Sequence, residues 1–156
     1  MRHILKIYRS LLTEIPHASA THPIRTFTPS DKKEWLELNN VIFAKHPDQG
    51  NWAMADLENR MAEPWFDADG FFLAQEKEKI IGFCWTKIHR DLVNQEPVGE
   101  LYVVGVNPAH THKGVGRAVS IAALNYLKDK GISQAMLYVD ADNENGLALY
   151  SSLGFN

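Results

Sequence analysis

A chain of 156 residues with 45% hydrophobic and 22% charged side chains has the composition of one globular domain with a real core. A net charge of −3 argues against nucleic acid or an acidic membrane as partner, and no apolar run approaches the roughly 18 residues of a membrane span. The single Cys84 excludes an internal disulfide framework and fits a reducing, cytoplasmic setting.

At the N-terminus Ile4, Tyr8, Leu11, Leu12 and Ile15 recur at helical spacing, with Arg2, Lys6 and Arg9 between them, which predicts a short helix. Pro16, Ala18, Ser19, Ala20 and Pro23 then read as a linker, so residues 1–22 are expected to stand apart from a domain over 23–156. Residues 24–27 form a short extended run ended by Pro29. Ser30 is the expected cap of a helix whose inner side is Trp35, Leu38, Asn39 and Ile42. A loop at 46–50 precedes a second helix over 52–62, with Met54, Leu57 and Met61 on one side. Residues 64–70 are rich in turn formers. Residues 71–75 and 79–88 read as two strands joined by a polar hairpin connection. The run 98–106 is almost continuously apolar, as a central strand is. A helix over 113–130, with Val115, Val119, Ala122, Ala123 and Tyr126 inward, stops at Gly131. A strand over 134–139 and a helix over 143–153 complete the chain. The order implies an α+β fold: a mixed, mostly antiparallel sheet flanked by helices, ending in a β–α–β segment.

The most informative stretch is the strand, turn and helix from Glu100 to Arg117. Gly114 and Gly116 open the helix, where backbone N–H groups lack intrahelical partners and carry partial positive charge, so the turn is a ready anion site. Its context, directly after an apolar strand and before a long amphipathic helix, makes a pyrophosphate the expected anion. Glu100 is the lone carboxylate in that strand. It reads either as a solvated edge residue or as a general base. Cys84, between Phe83 and Trp85, reads as a buried inert thiol. His110 and His112 read as solvated loop residues, and no ligand spacing for a metal is evident.

With the elements in this order, the chain resembles the GCN5-related N-acetyltransferase superfamily. More narrowly, it is similar to the C-terminal half of the mycothiol synthases. The residues carrying the likeness are Asn39, Asn40, Phe43 and Ala44; the loop from His46 to Gly50; the run from Glu63 to Asp67; and the segment from Trp85 to Lys87. To these are added the stretch from Gly99 to Pro108, Leu137 to Val139, Asp142 with Asn143, and the run from Tyr150 to Phe155. The likeness covers the chain from about Ile24 onward.

The resemblance implies an acetyl-CoA-dependent N-acetyltransferase, with the cysteinyl amine of Cys-GlcN-Ins as acceptor. It gives Glu100 the role of base and Tyr150 that of donor to the departing thiolate, where the residue alone would read as core packing. Val104, Gly105 and Val106 would pair with the pantetheine arm. Thr111, His112, Lys113, Gly114, Val115, Gly116 and Arg117 would hold the pyrophosphate, Lys113 and Arg117 adding charge. Thr111 stands where the family usually carries Gln or Arg, so the cradle leans on backbone. Asn143 and Ala148 would flank the cofactor, and Asp48, Lys87, Glu100 and Tyr138 the acceptor. The family also continues past the last helix into one more strand of the sheet. Its lack here implies an open edge awaiting a second copy or a sister acetyltransferase domain, with a non-catalytic acyl-CoA-binding or interaction module as the alternative function.

Overall fold

A computed structural model describes residues 3–18, 22–46 and 48–156. Arg2 of the expected N-terminal helix, residues 19–21 of the expected linker and Pro47 of the expected loop lie outside them.

Among the described residues one six-stranded sheet runs in the order β1-β6-β5-β4-β3-β2. Its strands are β1 (Ile4–Ser10), β2 (Ile24–Thr26), β3 (Phe71–Glu76), β4 (Lys79–His89), β5 (Val98–Val106) and β6 (Gln134–Asp140). Every pairing is antiparallel except β5 with β6, which are joined by a helical crossover. The helices are α1 (Lys32–Ile42), α2 (Met54–Met61), α3 (Val115–Asp129) and α4 (Glu144–Ser152). Lys77 and Glu78 take positive φ between β3 and β4, a tight turn that lets the two strands fold back directly.

Two cores lie on opposite faces of the sheet. On the α3 and α4 side the packing is largely aliphatic, with Leu101, Val119, Leu124, Leu127, Leu137 and Leu153 buried. On the α1 and α2 side it is aromatic. Trp35 meets Phe71, Phe83 and Trp85 edge-on with centroids 5.2–5.5 Å apart, and Phe71 stacks between Phe27 and Trp85 at 4.5 Å from each. Helix α1 is held at its start by Asp31 rather than by Ser30. The Asp31 carboxylate accepts the Thr28 N–H at 2.8 Å and takes a bidentate pair from Arg25 at 2.7 and 2.8 Å.

The N-terminal segment is a strand, not a helix, and it belongs to the sheet. Leu5, Ile7 and Arg9 lie opposite Val139, Leu137 and Ala135, all three buried on the α3–α4 side. The inward phase is therefore every second residue, and the charge of Arg9 hides it from a hydrophobicity pattern. Arg9 is only 6% exposed; its guanidinium donates to the Leu153 carbonyl at 2.7 Å and to the Thr13 hydroxyl at 3.1 Å, which satisfies the buried charge with polar partners. The edge of β6, expected to be open, is taken by β1. On the outer side of β1, Tyr8 and Asn156 exchange both backbone hydrogen bonds at 2.9 Å.

Candidate active-site cleft

Strands β5 and β6 are paired only at Gly99 with Ala135 and Glu100 with Met136. Beyond these positions they part, and the gap is a cleft of about 310 Å³. Residues 100–104 form one wall, 137–140 the other. Asn143 and Tyr150 close it from α4, Ile4 from β1, and Phe43, His46 and Gln49 from α1 and the loop after it. The register steps between Trp85 and Thr86, whose partners are Val103 and Leu101, so Tyr102 bulges. Tyr102 and Val103 consequently both pack on the aromatic side, and the strand bends where the cleft opens.

Glu100 lines the cleft and is 6% exposed, so the solvated-edge reading is replaced by a buried carboxylate. Its Oε1 lies 2.7 Å from Nε2 of His89 on the neighbouring strand. Tyr150 lines the same cleft at 8% exposure. Burial, and secondarily the nearby Cys84, push its phenol well above the ordinary value, so it stays a hydrogen-bond donor. Cys84 is fully buried, and burial alone pushes its thiol up, which makes it unreactive.

The β5 edge follows the ladder. Asn107 donates to Ile81 across β4, so by alternation Gly105 also faces β4, while Val104 and Val106 turn their peptide groups toward the cleft side. Gly105 is needed for packing instead: a Cβ there would sit 2.8 Å from the Phe83 ring and 3.0 Å from Ile42.

The turn before α3 is exposed over Thr111, His112, Lys113 and Gly114. His112 and Gly114 take φ of 63° and 79°, and a Cβ on Gly114 would meet nothing within 4 Å. The first helical bond runs from Ala118 to the Gly114 carbonyl, which leaves the N–H groups of Val115, Gly116 and Arg117 without intrahelical acceptors. Open space in front of such a helix start fits a phosphate group. Gly116 packs close to Val106 and Leu149, where a Cβ would lie 3.3–3.4 Å from either, and so brings α3 against β5 and α4. His110 is not solvated. Its Nε2 lies 2.6 Å from Glu76, tying the turn to the β3–β4 hairpin, and that hydrogen bond holds the half-buried Glu76 carboxyl below its ordinary value.

Asn143 both lines the cleft and caps α4, its Oδ1 accepting the Gly146 N–H at 2.9 Å. Ala148 is exposed on α4. Tyr138 lines the cleft at 54% exposure, with the Lys6 ammonium 5.6 Å from its ring centre. Asp48 stands on the loop beside the cleft-lining His46 and Gln49, and its N–H donates to His46 Nδ1 at 3.1 Å. Lys87 lies over the rings of Trp65 and Tyr102 at 4.8 and 5.5 Å and borders a second, larger cavity of about 760 Å³. The structure thus brings Glu100, Val104, Tyr138, Asn143 and Tyr150 to one cleft and leaves Lys87 on the far side of Glu100. Ile4, Tyr102, His46 and Gln49 are additions to the cleft, and His89 joins it only through its contact with Glu100. Only register and strand order put them there, apart from the loop pair, whose residue types already stood in the motif. Among the described residues no group of His, Cys, Asp or Glu is placed to hold a metal ion, and no helix is long and apolar enough to cross a membrane.

The sequence profile of the acetyltransferase (GNAT) family matches residues 27–155. A mycothiol acetyltransferase of Thermobispora bispora is 44% identical over 158 residues, covering 99% of this chain and 54% of that protein. The chain therefore spans about half the length of the curated relatives it matches. A GCN5-related N-acetyltransferase from Sphaerobacter thermophilus has the same fold, with a TM-score of 0.78 at 21% identity, over 99% of this chain and 48% of that one. So has the aminoglycoside N-acetyltransferase AAC(6')-Iy in complex with CoA, with a TM-score of 0.71 at 24% identity over 92% of both chains.

Proposed function

The chain belongs to the acetyltransferase (GNAT) family, and we propose that it transfers the acetyl group of acetyl-CoA to the primary amine of a small molecule in the cytoplasm, specifically to the cysteinyl amine of Cys-GlcN-Ins to give mycothiol. The observation that carries this reading is a single cleft, opened by the parting of two parallel strands, with Glu100 on one wall and the Tyr150 phenol on another. The acceptor assignment is supported by the name of the curated relatives and by the loops this chain shares with them.

When bound, acetyl-CoA supplies an activated thioester. Val104 and Val106 offer β5 peptide groups to its pantetheine arm, with Gly105 keeping the strand close to α1. Val115, Gly116 and Arg117 offer helix-start N–H groups to the pyrophosphate. Thr111, His112, Lys113 and Gly114 shape the turn, and Lys113 and Arg117 add positive charge. Asn143 and Ala148 flank the cofactor from α4.

Glu100 removes a proton from the acceptor ammonium. The free amine then forms its bond to the acyl carbon as the carbon–sulfur bond breaks; Tyr150 gives its proton to the departing sulfur, and the second proton shed by the new amide nitrogen restores the phenol. Asp48 and Tyr138 flank the acceptor, the carboxylate suiting its ammonium and the phenol its hydroxyls, while Lys87 stays beyond Glu100 on the side of the larger cavity.

The test is thiol release from acetyl-CoA with Cys-GlcN-Ins as acceptor. Acceptor-dependent release of free CoA is the expected result. Measurable CoA binding without release, for this acceptor and for a panel of other primary amines, overturns the reading in favour of a binding module.

A further inference from the structure

Glu100 and His89 form a pair that bridges two cavities. Glu100 lines the cleft between β5 and β6 and not the larger cavity; His89 lines the larger cavity and not the cleft. The two touch through a 2.7 Å contact between Oε1 and Nε2, with side chains 8% and 23% exposed. Their cross-strand partners, Lys87 for Glu100 and Val98 for His89, put both side chains on the same sheet face, two positions apart along β4.

A buried base that takes a proton at each turnover must also lose it. Glu100 has almost no surface of its own through which to do so, and once acceptor and cofactor fill the cleft, water has no route from that side. His89 offers the other side.

We propose that His89 is the relay that clears the proton from Glu100, carrying it out of the cleft into the second cavity. This rests on the reading of Glu100 as the base for acetyl transfer. The ammonium N–H bond breaks and the proton binds the Glu100 carboxylate. At rest the His89 Nε2–H donates to the Glu100 carboxylate at 2.7 Å. Once the carboxyl is protonated, the ring exchanges its proton with water in the larger cavity to become the Nδ1–H tautomer, and the Glu100 O–H gives its proton to the freed Nε2 lone pair. The imidazolium then gives up its Nδ1 proton to that water, which restores both the carboxylate and the Nε2–H ring. The charged groups sharing the His89 cavity are Glu63, Asp67, Lys87, Arg90, Asp91 and Lys130, with the Tyr126 phenol donating to Asp67 at 2.6 Å. The three carboxylates and three cations balance in formal charge, so the cavity is strongly polar without a net charge beside the ring. His89 acts through Glu100 and touches no reacting atom, so it is a positioning and relay residue.

The experiment uses acetyl-CoA with Cys-GlcN-Ins and follows thiol release as a function of pH for wild type, Glu100→Gln, His89→Ala and His89→Gln. The relay predicts that both His89 variants lose about 10–100-fold in kcat with KM for acetyl-CoA unchanged. It also predicts that added imidazole restores the Ala variant and not the Gln variant, whose side chain still fills the gap, and that the pH–rate profile of the rescued variant follows the added base. Independently of turnover, the His89 Nε2 resonance in 1H–15N spectra of the ligand-free chain should move on Glu100→Gln. An active wild type with an impaired Glu100→Gln variant but unaltered His89 variants overturns the relay alone. A loss in the His89 variants that imidazole does not restore, with unchanged thermal melts, also overturns it. A wild type that never releases thiol removes the acetyl-transfer reading and the relay with it.

Discussion

The loop after α1 and the turn before α3 are both assigned to ligand contact, and they are built by opposite means. In the first, side chains are spent on the protein itself. Asn39, fully buried, donates to the Gln49 carbonyl at 2.9 Å and accepts from the Gln49 amide at 3.0 Å. Asn40 exchanges hydrogen bonds with the Trp52 backbone at 2.8 and 2.9 Å, and Gly50 lies so close to the Phe43 carbonyl that a Cβ would stand 1.9 Å from its oxygen. The turn before α3 is exposed, with left-handed residues and open space ahead of Gly114. A wall that shapes a cleft must resist moving, so its polar groups are satisfied internally. A cradle for an anion must keep N–H groups free, so it is held only at its base, by His110 on Glu76.

Gly50→Ala should give the largest effect. The added methyl overlaps backbone, so the loop must shift, at a cost of about 3 kcal/mol and a drop of about 10 °C in melting temperature. A melt within a degree or two of wild type would show that the first loop is no more rigid than the second.

Next in size is the anchor at the start of α1, the helix that carries the rigid loop. The Arg25 guanidinium holds the Asp31 carboxyl at about 2, against an ordinary 3.8. A depressed carboxyl stabilises the fold fully above its ordinary value and loses that contribution as pH falls toward the folded value. Wild type should therefore lose about 2 kcal/mol relative to Asp31→Asn on acidification from about pH 4 to pH 2. Parallel pH dependences in urea melts would remove this anchor.

Asn39→Ala should cost about 1–2 kcal/mol by leaving the Gln49 groups unpaired, and should raise amide exchange in residues 48–52 while leaving residues 111–114 as they were. Smallest in stability is Gly114→Ala. Its φ of 79° strains any side chain by about 1 kcal/mol, yet the methyl meets nothing within 4 Å. The change should show instead in CoA titrations, as a several-fold weaker Kd. A stability loss as large as that of Gly50→Ala, with CoA affinity unchanged, would break the contrast between the loops.

Much of the central fold is legible from local pattern. The boundaries of β5 agree with its apolar run, α3 stops at Gly131 in a left-handed turn, and α4 starts at a cap formed by Asn143. Glu100 stands out because it is one acid in an apolar strand. The N-terminal strand is not legible. Its inward positions include Arg9, whose buried guanidinium is satisfied by the distant Leu153 carbonyl together with local acceptors in residues 10–14, and Ile4, Tyr8 and Leu11 mimic a helical period. His89 is equally silent, since nothing near it in sequence announces a carboxylate.

The sequence by itself determined the elements whose signals are local: the turn glycines, the apolar strand with its single acid, the helix start with free N–H groups, and the family motifs spread over several loops. Only the tertiary structure decided that β1 occupies the edge beside β6, that β5 and β6 part just after Glu100, and that His89 faces Glu100 across a strand. Each of these is a matter of register between segments distant in the chain. A register is settled by which whole faces can be buried together, a property no short window of sequence contains.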